Sequence, residues 1–101
     1  MSELELRREA DGAYSLRVRG EIDLANLARL RELLEEAIDG GASRIVVDCH
    51  DLEFLDSSGI GALVAARTRL GADGELVLDS PPSHVRKVLD ITGVTDHLSV
   101  V

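Results

Sequence analysis

Two adjacent hydroxyls, Ser57 and Ser58, lie between Asp56 and Gly59, and no other stretch of the chain is better placed for chemistry. Upstream, the run from Arg44 to Asp48 is rich in β-branched residues and too short for a helix, so it reads as a buried strand. Downstream, Ile60, Leu63, Val64 and Leu70 fall on one helical stripe, Ala62, Ala65 and Ala66 favour helix, and Gly71 supplies a stop. The serines therefore fall at a loop-to-helix junction, in or beside the first helical turn. Backbone N–H groups there lack intrahelical partners and the positive end of the helix dipole is near, so an added anion is tolerated.

Several chemistries compete for such a run. Asp56 or a serine can simply cap the helix, a contribution of about 1 kcal/mol. A serine nucleophile needs an oriented base, and the histidines are His50, His84 and His97. The Gly-x-Ser-x-Gly elbow is absent around both serines, which argues against hydrolysis. Asp48, Cys49, His50 and Asp51 are consecutive, and neighbours in extended chain point to opposite faces, so no metal site is expected. Gly59 and Gly61 are not followed by Lys-Ser or Lys-Thr, and no cofactor is expected.

Composition narrows the partners. A chain of 101 residues with 45% apolar content fits one domain spanning residues 1–101. Its net charge of −8, from 19 acidic and 11 basic residues, and its two aromatics, Tyr14 and Phe54, disfavour nucleic acid as a partner. A protein partner fits better. Cys49 is the lone cysteine, the acidic start from Met1 to Glu5 lacks the features of a secretion signal, and no run is long enough to span a membrane. A cytoplasmic location without membrane contact is the expectation.

The elements that must position the serines can be read in order. Leu4 and Leu6 alternate with charged residues, Asp11-Gly12 makes a turn, and Tyr14, Leu16 and Val18 form one face of a second strand, so a hairpin opens the domain. Leu27, Leu30, Leu34, Ala37 and Ile38 repeat at helical spacing from a start near Leu24, with Asp23 as N-cap and Gly40-Gly41 as the end. After the serine helix come a strand at Glu75–Leu78, a short amphipathic helix through Val85, Val88, Leu89 and Thr92, and an edge strand near Leu98–Val101. The expected class is α/β, a mixed sheet of about four to five strands with packed helices.

Asp56-Ser57-Ser58-Gly59, together with Gly20-Glu21-Ile22-Asp23, resembles paired motifs of the STAS-domain anti-sigma factor antagonists of bacteria. The resemblance follows the element order from residue 4 to about residue 98, although that family usually adds a helix beyond the point where this sequence stops. It implies a reversible binding switch and no enzyme. The unmodified protein would bind an anti-sigma factor that is also a serine kinase, and so free a sigma factor. Phosphorylation of Ser58, with Ser57 as the fallback acceptor, would end that complex, and a serine phosphatase would restore it. Asp23, Asn26, Asp56, Ser57, Ser58, Gly59 and Gly61 would form the contact surface, with Ile22 and Leu24 beside Asp23 and with Ile60 anchoring the helix. The alternative within the family is a STAS scaffold subunit of a sensory or transport complex without sigma-factor control.

Overall fold

A computed structural model of the chain describes residues 3–101. The acidic start expected of Met1 and Ser2 lies outside the described residues. The first two strands, β1 (Glu3–Arg8) and β2 (Ala13–Ile22), form the expected antiparallel hairpin, with Leu6 opposite Leu16 and Leu4 opposite Val18. Asp11 and Gly12 both adopt positive φ in the connecting turn, the conformation for which Asp-Gly is suited.

Helix α1 (Leu27–Asp39) leads to β3 (Arg44–Asp48), which pairs parallel with the first half of β2. A short strand β4 (Leu52–Leu55) precedes α2 (Ser57–Leu70), and β5 (Glu75–Asp79) then joins β3 in parallel. Helix α3 (Ser83–Thr92) and one 3-10 turn return the chain to β6 (Ser99–Val100), parallel to β5. The main sheet runs β1-β2-β3-β5-β6, and β4 pairs only with the far end of β2.

Each strand of the main sheet shows why one face is covered. Tyr14, Leu16 and Val18 on β2, Ile45 and Val47 on β3, and Leu76 and Leu78 on β5 alternate inward. They meet Leu30, Leu33, Leu34 and Ala37 of α1, Ile60, Leu63 and Ala66 of α2, and Val85 and Leu89 of α3. On the other face charges pair across neighbouring strands, as in Arg17 with Asp48 and Arg44 with Glu75. These ion pairs are exposed and each contributes about 0–1 kcal/mol, so burial of the covered face is the main source of stability.

Three expectations need correction. The segment between Cys49 and Asp56, expected to be loop, contains β4, because Leu52 and Leu55 are buried against the sheet while Glu53 and Phe54 face outward. Helix α1 begins at Leu27 rather than near Leu24, and Leu24 is 76% exposed. On α3 the buried positions are Val85 and Leu89, whereas Val88 and Thr92 are exposed.

Gly20 is the point at which β2 changes partner. Its φ of 78° is open to glycine at little cost, the β2–β4 register shifts between Gly20 and Glu21, and its amide donates to Asp51 O at 3.0 Å. The first half of β2 thus stays in the main sheet while its end runs beside β4.

Candidate functional site

The ends of β2 and β4 lie side by side. Ile22 is in register with Leu55, and the amide of Asp56 donates to Ile22 O at 3.1 Å. Parallel pairing brings both strands to a close at one edge of the sheet, so the loop after Ile22 and the serine turn after Leu55 emerge together. A parallel pair requires this, since both chains run in one direction.

Asp56 caps α2. Its backbone is extended, with φ −90° and ψ 176°, and its carboxylate accepts from the amide of Gly59 at 3.1 Å. Ser58 Oγ donates to the same oxygen, Asp56 Oδ1, at 2.5 Å. These two hydrogen bonds, that from the Ser58 hydroxyl first, hold the Asp56 carboxyl below its ordinary value of 3.8. Ser58 is half-buried and leans back onto the cap, while Ser57 is exposed.

The neighbouring loop is held by its own polar side chains. Asp23 Oδ1 accepts from the amide of Ala25 at 2.9 Å. Asn26 Oδ1 accepts from the amide of Asp23 at 3.0 Å, and Asn26 Nδ2 donates to Glu21 O at 2.6 Å. Asp23, expected as the cap of α1, therefore closes a turn of its own, and Asn26 occupies the N-cap position while its side chain reaches back to the end of β2. Leu24 is left at the tip of the loop in solvent.

Glycine decides how closely the two parts meet. A Cβ added at Gly59 would lie 2.7 Å from Ile22 Cγ2 and 2.7 Å from Leu55 Cδ1. Gly59 is buried and lets α2 sit against both strand ends, so its place in the expected contact surface is corrected to a packing role. Ile22, 1% exposed, likewise belongs to the core. Gly61 faces solvent with nothing within 4 Å of an added Cβ. Ile60 is buried and anchors the helix.

The structure thus gathers Asp23, Asn26, Asp56, Ser57 and Ser58 at one edge. The histidines make other contacts: His50 Nδ1 lies 3.0 Å from Asp51 Oδ1, and His84 Nε2 lies 2.6 Å from Glu53 O. Among the described residues no group of three or more His, Cys, Asp or Glu side chains could hold a metal ion, and no helix is long and apolar enough to cross a membrane. Cys49 is buried, and that burial, with Asp48 and Asp79 nearby, pushes its thiol up from 9.0 to about 12. Sequence reasoning missed β4; the signals were the short apolar pair Leu52 and Leu55 and a glycine inside a strand pattern at Gly20.

The sequence matches the STAS domain over residues 6–100. The chain belongs to the STAS domain family. BtrV of Bordetella bronchiseptica is 33% identical over 84 residues, which are 82% of this STAS chain and 72% of that protein. The anti-sigma-B factor antagonist of Staphylococcus aureus is 29% identical over 91 residues, 89% of this chain and 84% of its own length. The unphosphorylated form of the anti-sigma factor antagonist SpoIIAA shares the fold with a TM-score of 0.79, at 24% identity over 98% of this chain and 87% of that one. The phosphorylated form of SpoIIAA, described as a Bacillus cell fate determinant, gives a TM-score of 0.77 at 25% identity, covering 98% of this STAS chain and 91% of that chain.

Proposed function

We propose that this protein is an anti-sigma factor antagonist whose binding is switched by phosphorylation of Ser58. The unmodified form docks on an anti-sigma factor that is also a serine kinase, and so releases a sigma factor. Asp23, Asn26, Asp56, Ser57, Ser58 and Gly61 form the docking edge. The kinase supplies ATP, magnesium and the base, and this chain, acting in the cytoplasm as one STAS unit over residues 1–101, supplies only the acceptor hydroxyl and catalyses nothing. A separate serine phosphatase returns it to the binding form.

One observation carries this reading: the amide of Asp56 is hydrogen-bonded to Ile22 O, which holds the Asp23 loop and the serine turn at the same edge. A partner seated there covers both at once. The named relatives support the partner class, since the Staphylococcus aureus protein is an anti-sigma-B factor antagonist and SpoIIAA has been seen with and without phosphate.

A phosphoryl group brings about −1.5 to −2 charges and three acceptor oxygens to Ser58. The end of α2 offsets about 0.3–1 kcal/mol of that, so the fold tolerates the change. A docked partner does not. Two like unit charges about 5 Å apart at an effective dielectric of about 20 cost on the order of 3 kcal/mol before salt screening, which weakens binding roughly a hundredfold.

The test is to incubate the purified protein with ATP and an anti-sigma factor kinase recovered with it from its native cell, and to locate the phosphate by peptide mass. Phosphate on Ser58, absent in Ser58→Ala, is expected. Full uptake by Ser58→Ala would move the acceptor to Ser57, and no uptake by the parent would remove the switch.

A further inference from the structure

A shallow trough of about 320 Å³ runs between α1 and α2, and its chemistry differs from the rest of the surface. Leu34 and Ile38 of α1 and Ala62, Ala65 and Ala66 of α2 give it an aliphatic lining, which Arg31, Glu35 and Arg69 complete with charge. β2, β3 and β5 are parallel, and α1 and α2 each return the chain to the start of the next strand, so the two helices run in the same direction and pack together. Ser58, Ala62, Ala65 and Arg69 are spaced i, i+4, i+7 and i+11 along α2 and therefore share one face. The trough begins one helical turn below Ser58, on the same face.

Its two arginines differ. Arg69 lies 3.5 Å from Glu35 and 3.6 Å from Asp39, so its charge is matched within the protein. Arg31 is exposed and has no hydrogen-bond or ion-pair partner among the described residues. A chain of net charge −8 thus leaves one unmatched cation at the serine end of an aliphatic trough. Long helical side chains lean toward the helix N-terminus, which carries the Arg31 guanidinium toward the serine end.

We infer that the α1–α2 trough extends the docking surface and takes an amphipathic segment of the kinase, with an aliphatic side chain between Leu34 and Ala65 and a carboxylate on Arg31. The inference rests on the function proposed above and names the partner chemistry that the trough selects. Its occupant is fixed by two features: the trough is continuous with the Ser58 face of α2, and its free charge is positive. Burying an aliphatic group there while pairing Arg31 adds affinity that Ser58 phosphorylation does not directly touch, so the trough sets which kinase binds and Ser58 sets when.

The test uses the full chain and the kinase found to phosphorylate it, with the dissociation constant read by calorimetry. Ala65→Trp fills the trough from an exposed position, and Arg31→Glu reverses its charge; each is expected to weaken binding at least tenfold with an unchanged melting temperature. Lys87→Glu, at an exposed position of α3, is the control and should change affinity less than twofold. If Ala65→Trp unfolds the chain, Ala65→Leu and Arg31→Glu carry the test. Affinities within twofold of the parent for the trough variants, while Ser58→Glu still weakens binding, would overturn this inference and leave the switch standing. Indifference of binding to Ser58→Glu as well would sink both. Decanoate is the probe for a small anionic amphiphile. Amide shifts confined to Leu34, Ala62 and Ala65 on its addition, with kinase binding insensitive to Ala65→Trp, would make the trough a small-molecule site and refute the docking role.

Discussion

Replacing Gly59 by valine should damage the fold more than the interface, the opposite of what the sequence by itself suggested for this position. A Cβ there would stand 2.7 Å from both Ile22 Cγ2 and Leu55 Cδ1. Ile22 is 1% exposed and Leu55 5% exposed, so neither has free space into which to move. Overpacking of this kind costs typically about 1–3 kcal/mol, and valine adds two methyl groups beyond the Cβ, which places it at the upper end of that range. The gain in helix propensity of valine over glycine offsets only about 0.5 kcal/mol, leaving a net loss of about 2–3 kcal/mol. With roughly 4–8 °C of melting temperature per kcal/mol in a domain of this size, the midpoint should fall by about 10–20 °C. Gly61→Ala is the paired control, because nothing lies within 4 Å of its added Cβ. It should gain about 0.5–1 kcal/mol and melt about 4 °C higher. Thermal unfolding followed by circular dichroism measures both. A Gly59→Val midpoint within about 3 °C of the parent would refute the close approach of α2 to the two strand ends.

Other outcomes follow from the same geometry. Ser58→Glu carries one charge where a phosphate carries about two, so it should weaken kinase binding by up to roughly a hundredfold before salt screening, and by less than the phosphate does, read as a dissociation constant by calorimetry. Asp56→Ala should lower the melting temperature near neutral pH. Because the folded carboxyl lies below its ordinary 3.8, the stability it adds is present above that value and is lost as the pH falls through the lower folded one. The gap between parent and variant in a pH series of thermal melts should therefore close in acid, and a constant gap would show that the charge of Asp56 plays no part. Cys49, with its thiol pushed up to about 12, should resist iodoacetamide at pH 8 in the folded protein and react once urea unfolds it, as measured by intact mass. Above the ordinary 9.0 the unfolded thiol ionises and the folded one does not, so it lowers stability as the pH rises further.

Much of the layout was legible because it depends on neighbours along the chain. The alternation of Tyr14, Leu16 and Val18 marks β2, the β-branched run marks β3, and the spacing of Leu27, Leu30 and Leu34 marks α1. Asp56 as a cap and the serines in the first turn of α2 were readable for the same reason, since an N-cap acts over three residues. The start of α1 was misjudged because Asp23 and Asn26 are each competent caps by type. Which one serves depends on Glu21 O being within reach of the Asn26 side chain, and that position is set by the end of β2.

Amino-acid order alone determined the helical and strand periods, the capped serine turn, the acidic surface and the lone buried-type cysteine, all consequences of side-chain chemistry and short-range spacing. Tertiary structure alone decided that β2 leaves the main sheet at Gly20 and that Ile22 pairs with Leu55. It likewise decided that Gly59 is a packing residue and that Arg31, beside an aliphatic trough, has no partner among the described residues. These are contacts between residues distant in sequence, formed when strands pair and helices bury their apolar stripes. No local period encodes which distant backbone a glycine will meet or which charge will be left without a partner.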